Sequence, residues 1–523
     1  MTILCDEGEL HMSSVRARLR PAVAMAACVS LALVGAAGTA AAAPKADTKL
    51  PERLTKQVSL EKMNRHLIAL QRIADANDGT RAASTPGYDA SAEYVATKLE
   101  QAGFEVTRQE FPFYYSETLA EKLVADGAEI PVTIMSYSPS TEEGGLTAPI
   151  AAIEPDDTPG CEVSDYGDVT GAIALVQRGS CTFAEKNLAA AEAGAAAVLV
   201  YNNEDGPVNG TLGEVDDNYV PAGGITQADG EALAALDGQE ITLELRALME
   251  ERTTYNVIAE TQTGRKDNVV MAGAHLDSDP AGPGINDNGT GSVALLETAL
   301  SMGSKPKVNN AVRFAWWSAE EFGLVGSTYY VNSLTFEQQL DIALYLNFDM
   351  IGSPNAGYFV YDGDDSAQEG SGPGPYGSAQ IEQAFVDYLE NEVGVATGEK
   401  DFDGRSDYGE FIAVGIPAGG LFTGAEGIKT EEEAELWGGT AGEAYDSCYH
   451  QACDDLGNVD RVALDRNADA MAYVIGTYAL STEDVNGIAP ETTKNRAKIA
   501  QQRSAQSVMA TTAADDHHAV VTA

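Results

Sequence analysis

The stretch Asn268-Val-Val-Met-Ala-Gly-Ala-His-Leu-Asp-Ser-Asp-Pro-Ala-Gly-Pro-Gly-Ile-Asn-Asp-Asn-Gly-Thr-Gly291 constrains this chain more than any other. Its apolar run, Val269 to Ala274, reads as a buried strand. The run ends on His275, with Asp277 two residues on. A Gly/Pro-rich loop then delivers Asp287, and the spacing of Val293, Leu296, Ala299 and Leu300 predicts a helix. A histidine and a carboxylate at the exit of a buried strand lie where open α/β sheets place their chemistry.

The chain is long enough for two or three domains, at 523 residues, and 44% apolar residues supply a large core. A net charge of −48 argues against nucleic acid and anionic membrane as partners and for a self-repelling surface. Arg16, Arg18 and Arg20 precede the apolar run Ala22 to Gly38, and small residues lead to Pro44. This is the pattern of a secretory signal peptide over residues 1–42, with Met12 the better start, so a secreted protein is expected. Residues 43–55 are read as a leader or short propeptide. No other stretch is long and apolar enough to span a bilayer. Of six cysteines, Cys5 and Cys28 fall in the leader region. The four that remain suggest disulfides in an exported protein, and proximity favours Cys161–Cys181 and Cys448–Cys453.

Residues 59–77 and the segment from Thr85-Pro86 to Gly103 have helical spacing, and Phe104 to Phe113 alternates as a strand. Residues 117–248 change character, with short β-type runs separated by Gly, Pro and Asp. From Tyr255 strands alternate with helices, which predicts a mixed, largely parallel central sheet flanked by helices. Strands are expected at 255–260, 268–274, 311–318, 342–350 and 357–361. Helices are expected at 289–302, 326–333, 378–391 and 460–480. Residues 490–523 turn polar and are read as a poorly packed tail.

Further carboxylates stand at strand exits. Ala311 to Ser318 runs into Glu320-Glu321, and Ile342 to Phe348 runs into Asp349. Among six histidines, His275 and His450 alone fall in the sheet region, and His450 lies inside the short Cys448–Cys453 loop. Two zinc ions about 3.5–4 Å apart need a bridging oxygen and terminal N/O ligands. One bridging carboxylate, plus one histidine and one carboxylate per ion, makes five side chains. His275, Asp287, Glu321, Asp349 and His450 supply them, and imidazole with carboxylate suits zinc. Glu320 is then a spare carboxylate, which a general base requires. Asp277 is placed to orient His275 through its second ring nitrogen. Taken singly, each of these features is more often a surface pair, a satisfied core histidine or a solvated helix start. Their joint occurrence at strand exits carries the reading.

Ala274-His-Leu-Asp-Ser278, Gly284-Ile-Asn-Asp-Asn-Gly289, Ser318-Ala-Glu-Glu-Phe-Gly323, Asn347-Phe-Asp-Met-Ile351 and Cys448-Tyr-His450 together resemble the secreted bacterial zinc leucine aminopeptidases of the aminopeptidase Y-like group. The resemblance covers roughly residues 56–115 and 253–485, and it places a catalytic domain of zinc exopeptidase fold over residues 56–116 and 249–489. Arg178-Gly-Ser-Cys-Thr-Phe183, Ala193-Gly-Ala-Ala-Ala-Val-Leu-Val-Tyr-Asn202 and Pro221-Ala-Gly-Gly-Ile225 resemble the protease-associated domain, a smaller β-rich α/β unit inserted over 117–248. That likeness implies a lid or gate rather than chemistry. The family resemblance implies two zinc ions per chain: His275, Asp287 and Asp349 on one, and Asp287, Glu321 and His450 on the other. It further implies Glu320 as base toward a water shared by the metals, Tyr449 as oxyanion donor and Arg405 near the substrate. Substrates would be peptide or protein N-termini, with Leu-like residues preferred.

Asp465 and Asp469, four apart at the head of the last helix, are left open as calcium ligands, with a solvated helix face as the alternative. A monomer is expected, since nothing marks an interface. The same fold carries a single-zinc glutaminyl cyclase, a carboxypeptidase and receptor-like scaffolds without catalysis, and these stand as the competing readings.

Overall fold

The computed structural model describes residues 45–490, 498–500 and 503, apart from 204, 205, 207, 214, 369 and 371. The signal-peptide assignment over 1–42, Cys5 and Cys28, and most of the 490–523 tail lie outside them.

Among the described residues the strands, numbered in chain order, are β1 Glu105–Ala125, β2 Ala128–Ile130, β3 Thr133–Ile134, β4 Leu146–Ala152, β5 Ile173–Gln177, β6 Ala197–Tyr201 and β7 Ala222–Ile225. They continue as β8 Glu240–Glu260, β9 Arg265–His275, β10 Asn310–Trp317, β11 Ile342–Phe348, β12 Phe359–Tyr361, β13 Gly398–Lys400 and β14 Ala418–Phe422. The peptidase half of the sheet runs β13-β12-β14-β11-β9-β10-β8. Its centre, β14-β11-β9-β10, is parallel, and β12 and β8 join antiparallel. The expected mixed, largely parallel sheet is therefore present. Both faces are covered: helices Leu60–Asp75, Pro86–Gln101, Gly291–Met302 and Arg461–Leu480 pack in one continuous core on one face of β9, β10 and β11, and helices Val325–Ser333 and Gly409–Ala413 pack through Tyr330, Val331 and Phe411 on the other. Burial on both faces is why β9 and β11 read as unbroken apolar runs instead of alternating ones.

The chain leaves this half on β1 and returns on β8, paired antiparallel from Glu105↔Glu260 to Ala125↔Ile241. The second half of the sheet, β4-β5-β6-β7-β3, is joined through β4 to the start of β8. Apolar clusters cover both of its faces. Cys161 and Cys181 are disulfide-bonded there, as are Cys448 and Cys453 in the peptidase half. Lys186 is fully buried beside the first bridge, where its ammonium group donates to Pro159 and Gly179 carbonyls, and burial pulls it down to about 8.

The structure adds to the sequence reading in three places. β1 extends far beyond Phe113. Its burial alternates at Phe111, Phe113 and Tyr115, and farther along it pairs with β8 as a ribbon with much of its surface exposed. Apolar periodicity cannot signal such a segment. The 43–55 leader overlaps helix Leu50–Gln57, whose Leu50 and Leu54 are fully buried in the peptidase core, where the helix packs on Arg461–Leu480. In the tail, the described Ile499 and Arg503 are buried, and the Arg503 guanidinium donates to the Gln339 and Ile342 carbonyls. No helix among the described residues is long and apolar enough to cross a membrane.

Candidate metal centre

β9 lies between β10 and β11, so the chain passes to one side of it and then to the other. The parallel register sets Trp317 beside His275 and Asn347 beside Gly273. Asp349, two residues beyond Asn347, therefore leaves the sheet level with His275, and Glu320 leaves three residues beyond Trp317. This is the topological switch point of the sheet, where the carboxyl ends of adjacent strands open a crevice.

Asp287 reaches the crevice from the turn after β9. Gly284 takes the left-handed conformation, φ +60°, and a Cβ there would strike the Asp287 carbonyl and the Ser278 side chain. The Asp287–Asn288 peptide is cis. The Asp454 carboxylate accepts the backbone N–H groups of Asn286 (2.8 Å) and Asp287 (3.0 Å). Arg81, fully buried between the first two long helices, donates to the Leu276, Pro283 and Gly284 carbonyls. The loop that separates His275 from Asp287 is thus clamped from two directions.

The two oxygens of Asp287 face different imidazoles. Oδ1 is 3.1 Å from His275 Nε2, and Oδ2 is 3.4 Å from His450 Nε2. Asp349 Oδ1 is 3.2 Å from the same His275 nitrogen, and Glu321 Oε2 is 2.9 Å from the same His450 nitrogen. Two ligands of one tetrahedral zinc, each about 2.0–2.2 Å from it, lie about 3.3–3.6 Å apart. The observed separations fall within a few tenths of an ångström of that range, and Glu321 Oε1 is buried without a hydrogen-bond partner. All five expected ligands thus converge at spacings that zinc would need, with Asp287 common to the two imidazoles.

Around them, the free oxygen of Asp349 accepts from Ser406 (2.6 Å), which is itself held by Asn347 (2.8 Å). His275 Nδ1 lies 3.2 Å from the Asp277 carbonyl and 3.6 Å from its carboxylate, so the backbone oxygen, rather than the expected side chain, is the nearer partner. His450 Nδ1 faces Asp279 at 3.8 Å. Asp279 also groups with Glu321 and His450 as a possible ligand set. Because Nε2 of His450 points at Asp287 and Glu321, Asp279 sits behind the ring, as Asp277 does behind His275.

Glu320 Oε2 is 3.9 Å from His275 Nε2, too far to share its ligand edge, and its backbone N–H donates to Asp277 at 3.4 Å. Phe322, next to Glu321, packs on Phe113 and Tyr115 of β1, each 5.2 Å away between ring centres. Tyr449 stacks on His450 at 3.8 Å, and Arg405, paired with Glu426 at 2.8 Å, donates to the Tyr449 hydroxyl at 3.3 Å.

The electrostatics favour cations. Burial lowers His275, yet Asp349, Glu320, Asp277 and Asp287 outweigh it and hold the imidazole well above its ordinary range. His450 is pushed up to about 12, with burial again opposed, by Glu321 and Asp287. Burial acts to raise Asp287, but the two imidazoles pull it below the usual carboxylate range. Glu320 is raised by burial, His275 opposing. Burial and the neighbouring carboxylates raise Tyr449, so its hydroxyl keeps its proton.

Asp465 and Asp469 lie on helix Arg461–Leu480, and neither belongs to a group of three or more convergent ligands among the described residues. Arg81, Asp279, Asp454 and Ser406 escaped the sequence reading. Asp279 and Asp454 adjoin the quoted motifs, at two residues from Asp277 and one from Cys453. Arg81 and Ser406 carry no local signal of their role.

Residues 256–475 match peptidase family M28, and residues 146–233 match the PA domain. A probable lipoprotein aminopeptidase of Mycobacterium tuberculosis, LpqL, is 47% identical over 454 residues, covering 86% of this chain and 90% of its own. A probable leucine aminopeptidase 2 of Arthroderma benhamiae is 44% identical, covering 82% and 86% respectively. Among solved structures, BSAP, a zinc aminopeptidase from Bacillus subtilis, superposes with a TM-score of 0.58 at 27% identity, covering 80% of this chain and 95% of that one. The chain belongs to peptidase family M28, and it is a peptidase with a PA domain inserted in its catalytic fold.

Proposed function

We propose that this protein is an exported zinc aminopeptidase that removes single, preferably large apolar residues from the free N-termini of peptides and proteins, using two zinc ions and Glu320 as base. Zinc aminopeptidase activity rests on family membership and on relatives that carry that name across more than four fifths of the chain. Export is supported by the leader pattern and by two disulfides. The single observation behind the two-metal reading is Asp287, whose oxygens each face a different imidazole that has a carboxylate of its own.

Zinc ions held by His275, Asp287 and Asp349, and by Asp287, Glu321 and His450, would acidify water and polarise the scissile carbonyl. Glu320 stands beside those ligands without sharing their edge. It accepts the proton of the attacking water and returns it to the leaving amine. Tyr449 donates its hydroxyl to the oxyanion, and Arg405, by donating to the phenol oxygen, leaves that proton directed at the substrate. The Glu320 and Asp349 carboxylates attract a free α-ammonium, which makes the enzyme an exopeptidase. A cavity of about 480 Å³ opens beside them, and Leu324, Met350, Phe359, Phe422 and Tyr445 give it apolar walls suited to a Leu-like side chain.

Metal analysis of the purified protein, combined with a screen of peptides differing in their first residue, tests this reading. Two zinc ions per chain and release of Leu, Met and Phe ahead of Gly and Asp are expected. Equal cleavage of free and Nα-acetylated peptides would refute it, and activity confined to N-terminal Gln would favour the cyclase.

A further inference from the structure

Glu321 forms part of the wall of two large cavities. The first is the apolar one beside Glu320. The second, of about 420 Å³, lies on the side of Glu321 that faces the inserted domain. Its walls come from three parts of the chain: Glu117 of β1 and Met249 of β8, Met135 and Tyr137 of the inserted domain, and Asp279 and Phe322 beside the metal ligands. Glu321 lines both cavities, so a substrate whose first side chain fills the first has the second open to the rest of its chain at the other side of that residue. The volume of the second cavity suits a short stretch of extended peptide.

Its chemistry suits such an occupant. Phe322 and Tyr137 are aromatic walls held in place by their neighbours: Phe322 by Phe113 and Tyr115, and Tyr137 by Tyr114 at 6.3 Å. Met135 and Met249 are unbranched thioethers that adapt to varied side chains. Glu117 and Asp279 contribute carboxylates, and no Lys or Arg lines the cavity among the described residues. A cationic side chain entering it meets the Glu117 and Asp279 carboxylates and no competing Lys or Arg among the lining residues.

We propose that this cavity is the subsite for the peptide beyond the scissile bond, that the inserted domain and the metal-bearing loop build it jointly, and that it favours a basic side chain at the second or third residue of the substrate. The inference rests on the aminopeptidase reading of the neighbouring site. It gives the inserted domain a part in substrate selection, because Met135 and Tyr137 would touch residues that the first cavity never sees.

The test uses the full zinc-loaded chain and three probes: Leu-Lys-Ala-Ala, Leu-Glu-Ala-Ala and Leu-p-nitroanilide, which has no second residue. The expected kcat/KM is about fivefold higher for the Lys peptide than for the Glu peptide, the worth of one part-exposed ion pair. Glu117→Gln should erase most of that preference. Tyr137→Ala should lower kcat/KM on both peptides relative to Leu-p-nitroanilide. Binding of a reduced-amide analogue of Leu-Lys-Ala, read by calorimetry, should weaken in both variants without turnover being involved. A parent enzyme indifferent to Lys and Glu, or variants that shift the peptides and Leu-p-nitroanilide in proportion, would overturn the subsite while leaving the aminopeptidase intact. A zinc-loaded parent inactive on all three probes would remove the aminopeptidase reading, and this inference with it.

Discussion

Replacing Arg81 by methionine should strongly destabilise the peptidase half. The guanidinium is fully buried and donates to three carbonyls, of Leu276, Pro283 and Gly284, that all belong to the loop between His275 and Asp287. Burial lowers it only to about 10, because Asp277, Asp454, Asp287 and Glu321 oppose the shift, so it is cationic at neutral pH. Each hydrogen bond from a charged donor is worth about 1.5–3 kcal/mol. Methionine fills part of the space but pairs with none of the carbonyls. Removing one partner of a buried charge arrangement costs about 3–5 kcal/mol, and about 4 kcal/mol is the expectation here. Arg81→Lys keeps the charge but loses the planar fork, and should recover about half. Urea unfolding followed by tryptophan fluorescence measures this, since Trp316 and Trp317 are fully buried on β10 beside the clamped loop. An Arg81→Met protein that unfolds within about 1 kcal/mol of the parent would refute the clamp, that being the worth of an ordinary neutral hydrogen bond.

Three other outcomes are expected. Glu320→Gln keeps the shape of the side chain but cannot take a proton, so kcat on Leu-p-nitroanilide should fall about 10²–10⁴-fold with zinc content unchanged; loss of zinc along with activity would reassign Glu320 as a ligand. Asp287→Ala should empty both metal positions, whereas His450→Ala should leave one zinc per chain by mass spectrometry of the native protein, because Asp287 faces both imidazoles and His450 only one pair of carboxylates. Glu382, near Asp362 and Asp364, is raised by burial from 4.5 to about 7, so the fold holds its proton more tightly than the unfolded chain does. Its contribution to stability is complete below pH 4.5 and is lost as pH rises to 7, and Glu382→Gln should flatten that decline by about 1 kcal/mol after solvent screening; an unchanged slope of stability against pH would exclude Glu382 as its source.

The convergence of the five candidate ligands was legible in the sequence for a physical reason. His275, Glu320-Glu321 and Asp349 each follow a buried strand, and parallel strands buried on both faces announce themselves as unbroken apolar runs. Asp287 and His450 stand out through their loops, one rich in glycine and proline and the other closed by cysteines. The long β1–β8 ribbon was only half legible, since a strand that buries little has no apolar period to read. The packing of helix Leu50–Gln57 on the peptidase core was not legible, because eight residues give too short a pattern to distinguish a packed segment from a linker.

Sequence alone therefore determined which residue types leave which strands, and with them the class of chemistry. Tertiary structure alone decided the register that sets Asp349 level with His275, and the split of Asp287 between two imidazoles. It also decided that Arg81 and Asp454 hold the loop joining them and that the inserted domain closes a second cavity against Glu321. Those facts depend on contacts between segments up to 373 residues apart, as Arg81 and Asp454 are, bound to a common loop. A local pattern records what a segment buries, whereas its partner is chosen only when the whole sheet closes.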